Sequence, residues 1–153
     1  MIRQILTGAA AGAAGTTALN AVTYLDMAIR ARPTSSTPED TVDELADRTP
    51  FDIPGQGDTR DNRVAGLGPL MGLATGVAVG AAYGAVTALL NRPRPGWGSV
   101  LVGGAAMLAG NGPMTLLGLT DPREWDAASW MADVVPHMAY GVVTATTFEA
   151  TQP

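Results

Sequence analysis

The sequence has no cysteine and few charged residues, and both shortages exclude classes of protein; all nine basic residues other than the single histidine are arginines. Without cysteine there can be no disulfides, thiolate catalysis, iron–sulfur clusters or cysteine-ligated zinc. Charged residues make up only 15% of the 153 residues, whereas about 25% is usual for a globular domain. A surface with so few charges argues against a soluble enzyme, a nucleic-acid-binding protein and a secreted disulfide scaffold.

Long stretches nearly or wholly free of charge dominate the chain. Four such stretches cover residues 4–25, 64–91, 95–120 and 127–148, and Asp133 is the one charge in the last of them. Each is long enough for a transmembrane helix, which needs about 20 predominantly apolar residues. We therefore predict an all-α polytopic membrane protein that contacts the lipid bilayer. It would have a single membrane domain over 1–153, with transmembrane helices at about 2–30, 64–90, 98–119 and 122–148.

The first of these segments also has some features of a secretory signal. One basic residue precedes an Ala/Gly-rich run, and small residues near Ala18 and Ala21 imitate a cleavage site. We expect the segment to be kept as the first transmembrane helix, which Pro33 ends.

The acidity of the protein belongs to one predicted loop, residues 33–62. It holds eight acidic residues and two arginines, a net charge of −6, whereas the whole chain carries −5. Thr37 followed by Pro38 predicts the cap and first position of a short helix within this loop. Two prolines and two glycines then predict an extended segment over 48–62.

Glycines recur at every fourth position of the second predicted membrane helix. On a helix this spacing makes a stripe without side chains, which lets another backbone approach closely. The first helix has a shorter version of the stripe. We predict glycine-zipper packing between these two helices, although the stripe could also be a docking surface for another subunit. The helix-packing residues would be Gly8, Gly12, Gly68, Gly72, Gly76, Gly80 and Gly84.

The third predicted helix contains a cluster of helix-breaking residues at 110–113, Gly-Asn-Gly-Pro. Two glycines and a proline in four residues predict an interruption. Broken membrane helices expose backbone carbonyls and often mark ion or substrate sites, with Asn111 as the polar side chain here. Alternatively, the helix ends at Gly110 and residues 114–119 form a short buried return. Asp121, Pro122 and Glu124 then predict the start of the fourth helix.

Polar residues line one stripe of that fourth helix: Asp133, His137 and Tyr140, at positions i, i+4 and i+7. An ionisable residue at membrane depth is a functional hypothesis, because burying it without a partner is costly. With Asn111, the three residues would line a possible polar path. The alternative is that Asp133 lies near the headgroups and only orients His137.

The single histidine limits the cofactors and metals that the chain could hold by itself. It excludes a two-histidine haem site or a three-ligand zinc site within one chain. We predict no metal and no cofactor, while ligation of a porphyrin or chlorin by His137, or a site shared within an oligomer, stays open.

Arginine counting gives the predicted orientation. Four spans place three arginines on the side of the N-terminus, Arg3, Arg92 and Arg94. They place six on the side of the acidic loop, Arg30, Arg32, Arg48, Arg60, Arg63 and Arg123. The positive-inside rule then predicts that loop 33–62 is cytoplasmic.

The segment from Gly8 to Asp47 reads GAAAGAAGTTALNAVTYLDMAIRARPTSSTPEDTVDELAD. It resembles the opening of small Gly/Ala-rich bacterial inner-membrane proteins of uncharacterised function, a type found in high-GC bacteria. In these a first helix leads into an R-P-x-S-x-T-P turn. The resemblance implies an inner-membrane protein with four helices, and it implies no active site.

Three functions remain open at the level of sequence. We expect a non-enzymatic accessory or scaffold subunit that packs through its glycine-rich helix faces against a membrane protein partner or in a homo-oligomer, without nucleic acid. The second is a small oligomeric channel or transporter, with a polar path through Asp133, His137 and the Asn111 helix break. The third is a redox or pigment subunit with His137 as cofactor ligand.

Overall fold

The computed structural model describes residues 1–90 and 97–152, and within these ranges the regular secondary structure is all helical, without strands. The prediction of an all-helical protein is therefore confirmed. The α-helices are α1 (Ile2–Arg30), α2 (Thr37–Arg48), α3 (Asp58–Leu90), α4 (Trp97–Leu116) and α5 (Ala127–Ala150). The predicted short turn at 91–96, with Arg92 and Arg94, lies outside the described residues.

Helices α1, α3, α4 and α5 form an antiparallel bundle in which each helix contacts the next in the order α1, α3, α4, α5 and back to α1. Residues near the start of α1 contact the second half of α3, and the start of α4 contacts the second half of α5. The approaching pairs include Gly8 with Gly84, Gly12 with Gly80, Gly15 with Tyr140, Tyr83 with Gly98, and Gly103 with His137.

Helix α2 lies outside this bundle, against the first turns of α3. A small apolar core of Val42, Ile53 and Val64 joins the two helices. Arg60 of α3 forms an ion pair of 2.6 Å with Asp43 of α2. The short helix predicted inside the acidic loop is therefore present, but its N-cap is Ser36 and not the predicted Thr37, which is the first residue of the helix.

The second predicted membrane helix starts earlier than its apolar pattern indicates, at Asp58 and not near Val64. The extended loop predicted over 48–62 is therefore wrong for its last five residues. Asp58 and Asp61 occupy the first turn of α3, where carboxylates interact favourably with the positive end of the helix dipole. Gly57, at φ +52°, turns the chain just before the helix.

The predicted break at Asn111 is wrong, and so is the alternative helix end at Gly110, because α4 is continuous from Trp97 to Leu116 with Pro113 inside it. A proline inside a helix removes one hydrogen bond and crowds the preceding turn. Here it lies one turn from the helix end, where Leu117 still donates its backbone N–H to the Pro113 carbonyl at 2.9 Å. Contact with α5 through Asn111 also holds this turn in place.

The fourth predicted helix starts in two steps. Asp121 caps only a short 3₁₀ turn over Pro122–Glu124, accepting the backbone N–H of Arg123. Helix α5 begins at Ala127, where Asp126 accepts the backbone N–H of Ser129 at 2.7 Å. The predicted start at residue 122 is therefore five residues too early, because the second capping aspartate determines where the α-helix begins.

Of the described helices, α1 and α3 are long and apolar enough to cross a membrane. This is support from length and composition for a membrane location. The four-span arrangement and the side on which the acidic loop lies stay predictions.

Candidate functional site

Glycines of α1 and α3 allow the two backbones to touch. A Cβ atom at Gly12 would lie 2.5 Å from the carbonyl oxygen of Gly76, and one at Gly80 would lie 2.6 Å from the Cα of Gly12. Real Cβ atoms essentially never come that close, and backbone atoms cannot swing aside as a flexible side chain can. The pairing of α1 with α3 therefore requires glycine at these positions.

Not every glycine of the predicted stripe contributes to this contact. Gly76, Gly80 and Gly84 lie against α1. Gly68 lies instead against the start of α2, where an added Cβ would be 3.1 Å from the backbone nitrogen of Glu39. Gly72 is exposed, with open space where a side chain would be. A helix of 3.6 residues per turn rotates a four-residue repeat gradually around its axis, so five such glycines do not share one face.

Two further close approaches were not among the predicted packing residues. A Cβ at Gly15 of α1 would lie 2.9 Å from the Tyr140 carbonyl oxygen of α5, and one at Gly141 of α5 would lie 2.8 Å from the Gly103 nitrogen of α4. Gly15 breaks the four-residue spacing of α1, and Gly103 and Gly141 belong to no repeat. The sequence therefore carries only a weak signal for them.

Three of the four predicted path residues meet between α4 and α5. The Asn111 side-chain amide donates to the Asp133 carboxylate at 2.8 Å. His137 Nδ1 lies 3.4 Å from the other carboxylate oxygen and 2.7 Å from the Asp133 backbone carbonyl. The two ionisable side chains are mostly buried, 18% exposed for Asp133 and 15% for His137. The continuous α4 helix is what places Asn111 opposite Asp133.

Hydrogen bonding at this cluster determines which nitrogen of His137 is free. A backbone carbonyl can only accept, so Nδ1 carries the proton that points at Asp133. In the neutral ring Nε2 then holds a lone pair. This nitrogen faces Gly110, whose added Cβ would lie 3.9 Å away. Such an imidazole could accept a proton or act as a ligand, with its orientation held by Asp133 and Asn111.

Tyr140 does not belong to this cluster. Its side chain is fully buried, and its hydroxyl donates to the Gly76 carbonyl of α3 at 2.6 Å. One turn away from His137, the ring packs in the centre of the bundle, in a buried cluster with Val102 and Ala106 of α4. The predicted polar path is therefore divided into an α4–α5 cluster and a separate α3–α5 hydrogen bond.

Charged side chains collect at the end of the bundle that also holds α2. Asp26 pairs with Arg30 and Arg32, and Arg123 pairs with Asp121 at 2.7 Å. Hydrogen bonds from the Arg123 side chain and backbone lower the pKa of Asp121 to about 2. Over the described residues no group of three or more histidines and acids is placed to hold a metal ion.

Comparison with known proteins finds no match for the chain among family models, curated proteins or solved structures. The resemblance of the segment Gly8–Asp47 to small inner-membrane proteins therefore stays a prediction.

Proposed function

We propose that this protein is a four-helix integral membrane protein that serves as a non-enzymatic accessory or scaffold subunit of a larger membrane assembly. The observation that carries the proposal is the distribution of side chains across the bundle. Small residues lie inside it, and large apolar residues lie outside.

The interior is built largely from glycine, alanine and threonine. Large buried side chains are few, chiefly Tyr140 and Phe148 of α5. Exposed large apolar residues occur on all four bundle helices: Ile2, Leu6, Tyr24, Leu25, Ile29, Leu70, Leu73, Val86, Leu89, Leu90, Trp97, Val100, Leu101, Leu108, Leu116, Trp130, Met131, Val135 and Val142. Soluble monomers rarely expose contiguous apolar patches larger than a few hundred Å². A bilayer around the bundle would cover this surface.

Helix lengths are compatible with four spans. The shorter two helices are α4, with 20 residues, and α5, with 24. At about 1.5 Å per residue they extend about 30 and 36 Å, enough for a hydrocarbon core of about 30 Å. The apolar outer faces of α4 and α5 support counting both as membrane-spanning helices alongside α1 and α3, although Asp133 and His137 make α5 less apolar.

The way the bundle uses its glycines changes the surface that a partner could contact. Gly76, Gly80 and Gly84 are occupied by α1 within the chain, so the stripe is not an empty groove. The partner surface would then be the outer faces of the helices together with the acidic segment around α2. The protein would lie in the inner membrane, and the arginine count predicts that this segment faces the cytoplasm.

Purification from native membranes in a mild detergent tests this proposal, with mass spectrometry of every co-migrating protein and an absorbance spectrum of the same fraction. We expect foreign membrane subunits in fixed stoichiometry and no visible absorbance. A chain that purifies only with itself would count against the accessory role.

The meeting of Asn111, Asp133 and His137 favours a second candidate, a small oligomeric channel or transporter that carries protons. An ionisable pair at membrane depth is the kind of site that proton pathways use. Reconstituted wild-type protein would then conduct protons, and His137→Ala and Asp133→Asn would each abolish the flux, whereas Tyr24→Phe on the exposed face of α1 would not. Visible absorbance that disappears in His137→Ala would instead support the third candidate, a subunit with His137 as cofactor ligand.

A further inference from the structure

An open cavity lies where α3 begins, beside the segment that joins it to α2. Its volume is about 340 Å³. Most of its lining is apolar, and Asp52, Asn62 and Arg63 supply the polar side chains. The apolar lining consists of Phe51, Ile53, Pro54, Gly66, Leu67 and Leu70. The cavity therefore combines charged groups with an apolar lining.

Arg63 is held at this cavity by the backbone around it. One guanidinium nitrogen donates to the Pro54 carbonyl. The same nitrogen lies over Gly55, where an added Cβ would be 2.9 Å away, and Gly55 has φ +101°. Across residues 1–90 and 97–152, no carboxylate lies within ion-pair distance of Arg63, unlike Arg30, Arg32, Arg48, Arg60 and Arg123. Its other N–H groups can therefore bind an anionic group from outside the chain.

The position of Arg63 along α3 relates the cavity to a membrane surface. The next residue, Val64, begins the charge-free run. Leu70 lies seven residues after Arg63, about 10 Å further along the helix axis at 1.5 Å per residue. A molecule in the cavity would therefore have its polar end at headgroup level and its apolar end beside Gly66 and Leu70.

We infer that this cavity binds one phospholipid with a zwitterionic headgroup that carries a primary ammonium, the phosphatidylethanolamine class. Arg63 would bind the phosphate through charge-assisted hydrogen bonds. The Asp52 carboxylate would accept from the ammonium. An acyl chain would follow Leu67 and Leu70 into the bilayer.

Charge decides between the available headgroups. The segment 33–62 carries a net charge of −6, which disfavours a lipid with net negative charge. A choline headgroup is zwitterionic but has no N–H to donate to Asp52. We expect binding to be tightest for the ethanolamine headgroup, weaker for choline and weakest for the glycerol headgroup, whose phospholipid is the anionic one of the three. The inference rests on the proposed membrane location, which the retention of the chain in carbonate-washed membranes checks separately.

The test measures lipid retention by native mass spectrometry and the melting temperature in mixed micelles that contain one phospholipid class at a time. Phosphatidylethanolamine should be retained best by the wild type and should raise its melting temperature most. Arg63→Gln should lower this retention on the order of tenfold, the scale of losing one charge-assisted hydrogen bond. Asp52→Asn should remove the preference for ethanolamine over choline.

Two glycines of α3 provide a matched pair of variants that does not depend on charge. Added Cβ atoms at Gly66 and Gly72 would both meet open space, so leucine should be accommodated at either position. Only Gly66 lines the cavity. Gly66→Leu should therefore displace the lipid. Gly72→Leu should retain it, and so should Arg3→Gln, which lies at the other end of the bundle.

Equal retention of the three lipid classes by the wild type would overturn the inference, and so would a preference for the anionic lipid. Full retention in Gly66→Leu would overturn it as well, whatever Arg63→Gln does. A chain that stays in carbonate-washed membranes yet shows any of these results would refute the lipid site and leave the membrane location intact.

Discussion

At the scale of single residues, Tyr140 links α5 to α3 in the interior of the bundle. Its hydroxyl is fully buried and donates to the Gly76 carbonyl at 2.6 Å. Tyr140→Phe keeps the ring and removes only this hydrogen bond. We expect it to lower the free energy of unfolding in mixed micelles by about 1 kcal/mol, the size typical of such bonds.

Tyr24→Phe is the control for that substitution. Tyr24 lies on α1 with 62% of its surface exposed, so loss of its hydroxyl should leave the unfolding free energy within error of the wild type. Equal effects of the two variants would show that the buried bond contributes nothing measurable.

Asp121 and Arg123 give a prediction about pH. Hydrogen bonds from Arg123 lower the pKa of Asp121 to about 2, below the ordinary value of about 3.9 that applies in the unfolded chain. Because the folded pKa is the lower one, this carboxylate stabilises the fold above about pH 4, and the contribution is lost as pH falls toward 2.

Arginine substitution checks the cause of this shift. In Arg123→Gln, NMR titration of the Asp121 carboxyl should give a pKa closer to the ordinary value, because the side-chain hydrogen bond that lowers it most is gone. An unchanged titration would assign the low pKa to another source. Glu124→Gln, which removes a neighbouring charge but no bond to Asp121, is the control.

Residue spacing predicted part of the candidate site. The stripe of Asp133, His137 and Tyr140 follows from helix geometry alone, and two of its members do interact. Their partners could not be predicted, because spacing within α5 does not say which helix lies opposite. Asn111 meets Asp133 only because α4 continues through Pro113, and local propensity predicted the opposite.

At the scale of helices, the contact between α1 and α3 depends on missing side chains. In Gly80→Ala the new Cβ would lie 2.6 Å from the Cα of Gly12, so the two helices must separate. We expect a loss of about 1–3 kcal/mol in unfolding free energy, the range for overpacked interiors. Unfolding in mixed micelles, followed by circular dichroism, measures it.

Gly72→Ala is the matched variant on the same helix. An added Cβ there meets open space, and alanine favours a helix over glycine by up to about 1 kcal/mol. Stability should therefore be unchanged or slightly higher. A comparable loss in Gly72→Ala and Gly80→Ala would mean that the α1–α3 approach does not limit stability.

The boundaries of the helices show where sequence patterns are informative. Pro33 correctly predicted the end of the first helix, since proline cannot continue it. The start of α5 was missed because Asp121 and Asp126 are both plausible caps. Only the geometry of residues 121–126 shows that the first of them starts a 3₁₀ turn.

At the scale of the whole molecule, the charge-free runs of the sequence are enough to locate the four bundle helices. They could not predict how the helices pair, because a glycine stripe permits a close approach without specifying its partner. The α3 glycines are divided between α1, α2 and the outer surface, because a four-residue repeat gradually changes direction along a helix of 3.6 residues per turn. The exposed apolar exterior likewise becomes visible only once the helices are assembled.

The central claim is that four helices cross the membrane, and the absence of cysteine from the chain makes a labelling test direct. Three exposed positions mark the ends of the bundle: Thr34 after α1, Glu124 before α5, and Thr151 after it. Single cysteine variants at each can be treated with an impermeant maleimide in intact and permeabilised spheroplasts.

Four spans predict that Thr34→Cys and Glu124→Cys share one side, reached only after permeabilisation, and that Thr151→Cys is labelled in intact cells. The reverse pattern would keep four spans and contradict the cytoplasmic acidic loop. If Glu124→Cys is labelled together with Thr151→Cys, opposite to Thr34→Cys, only α1 and α3 cross the membrane and the four-span account is wrong.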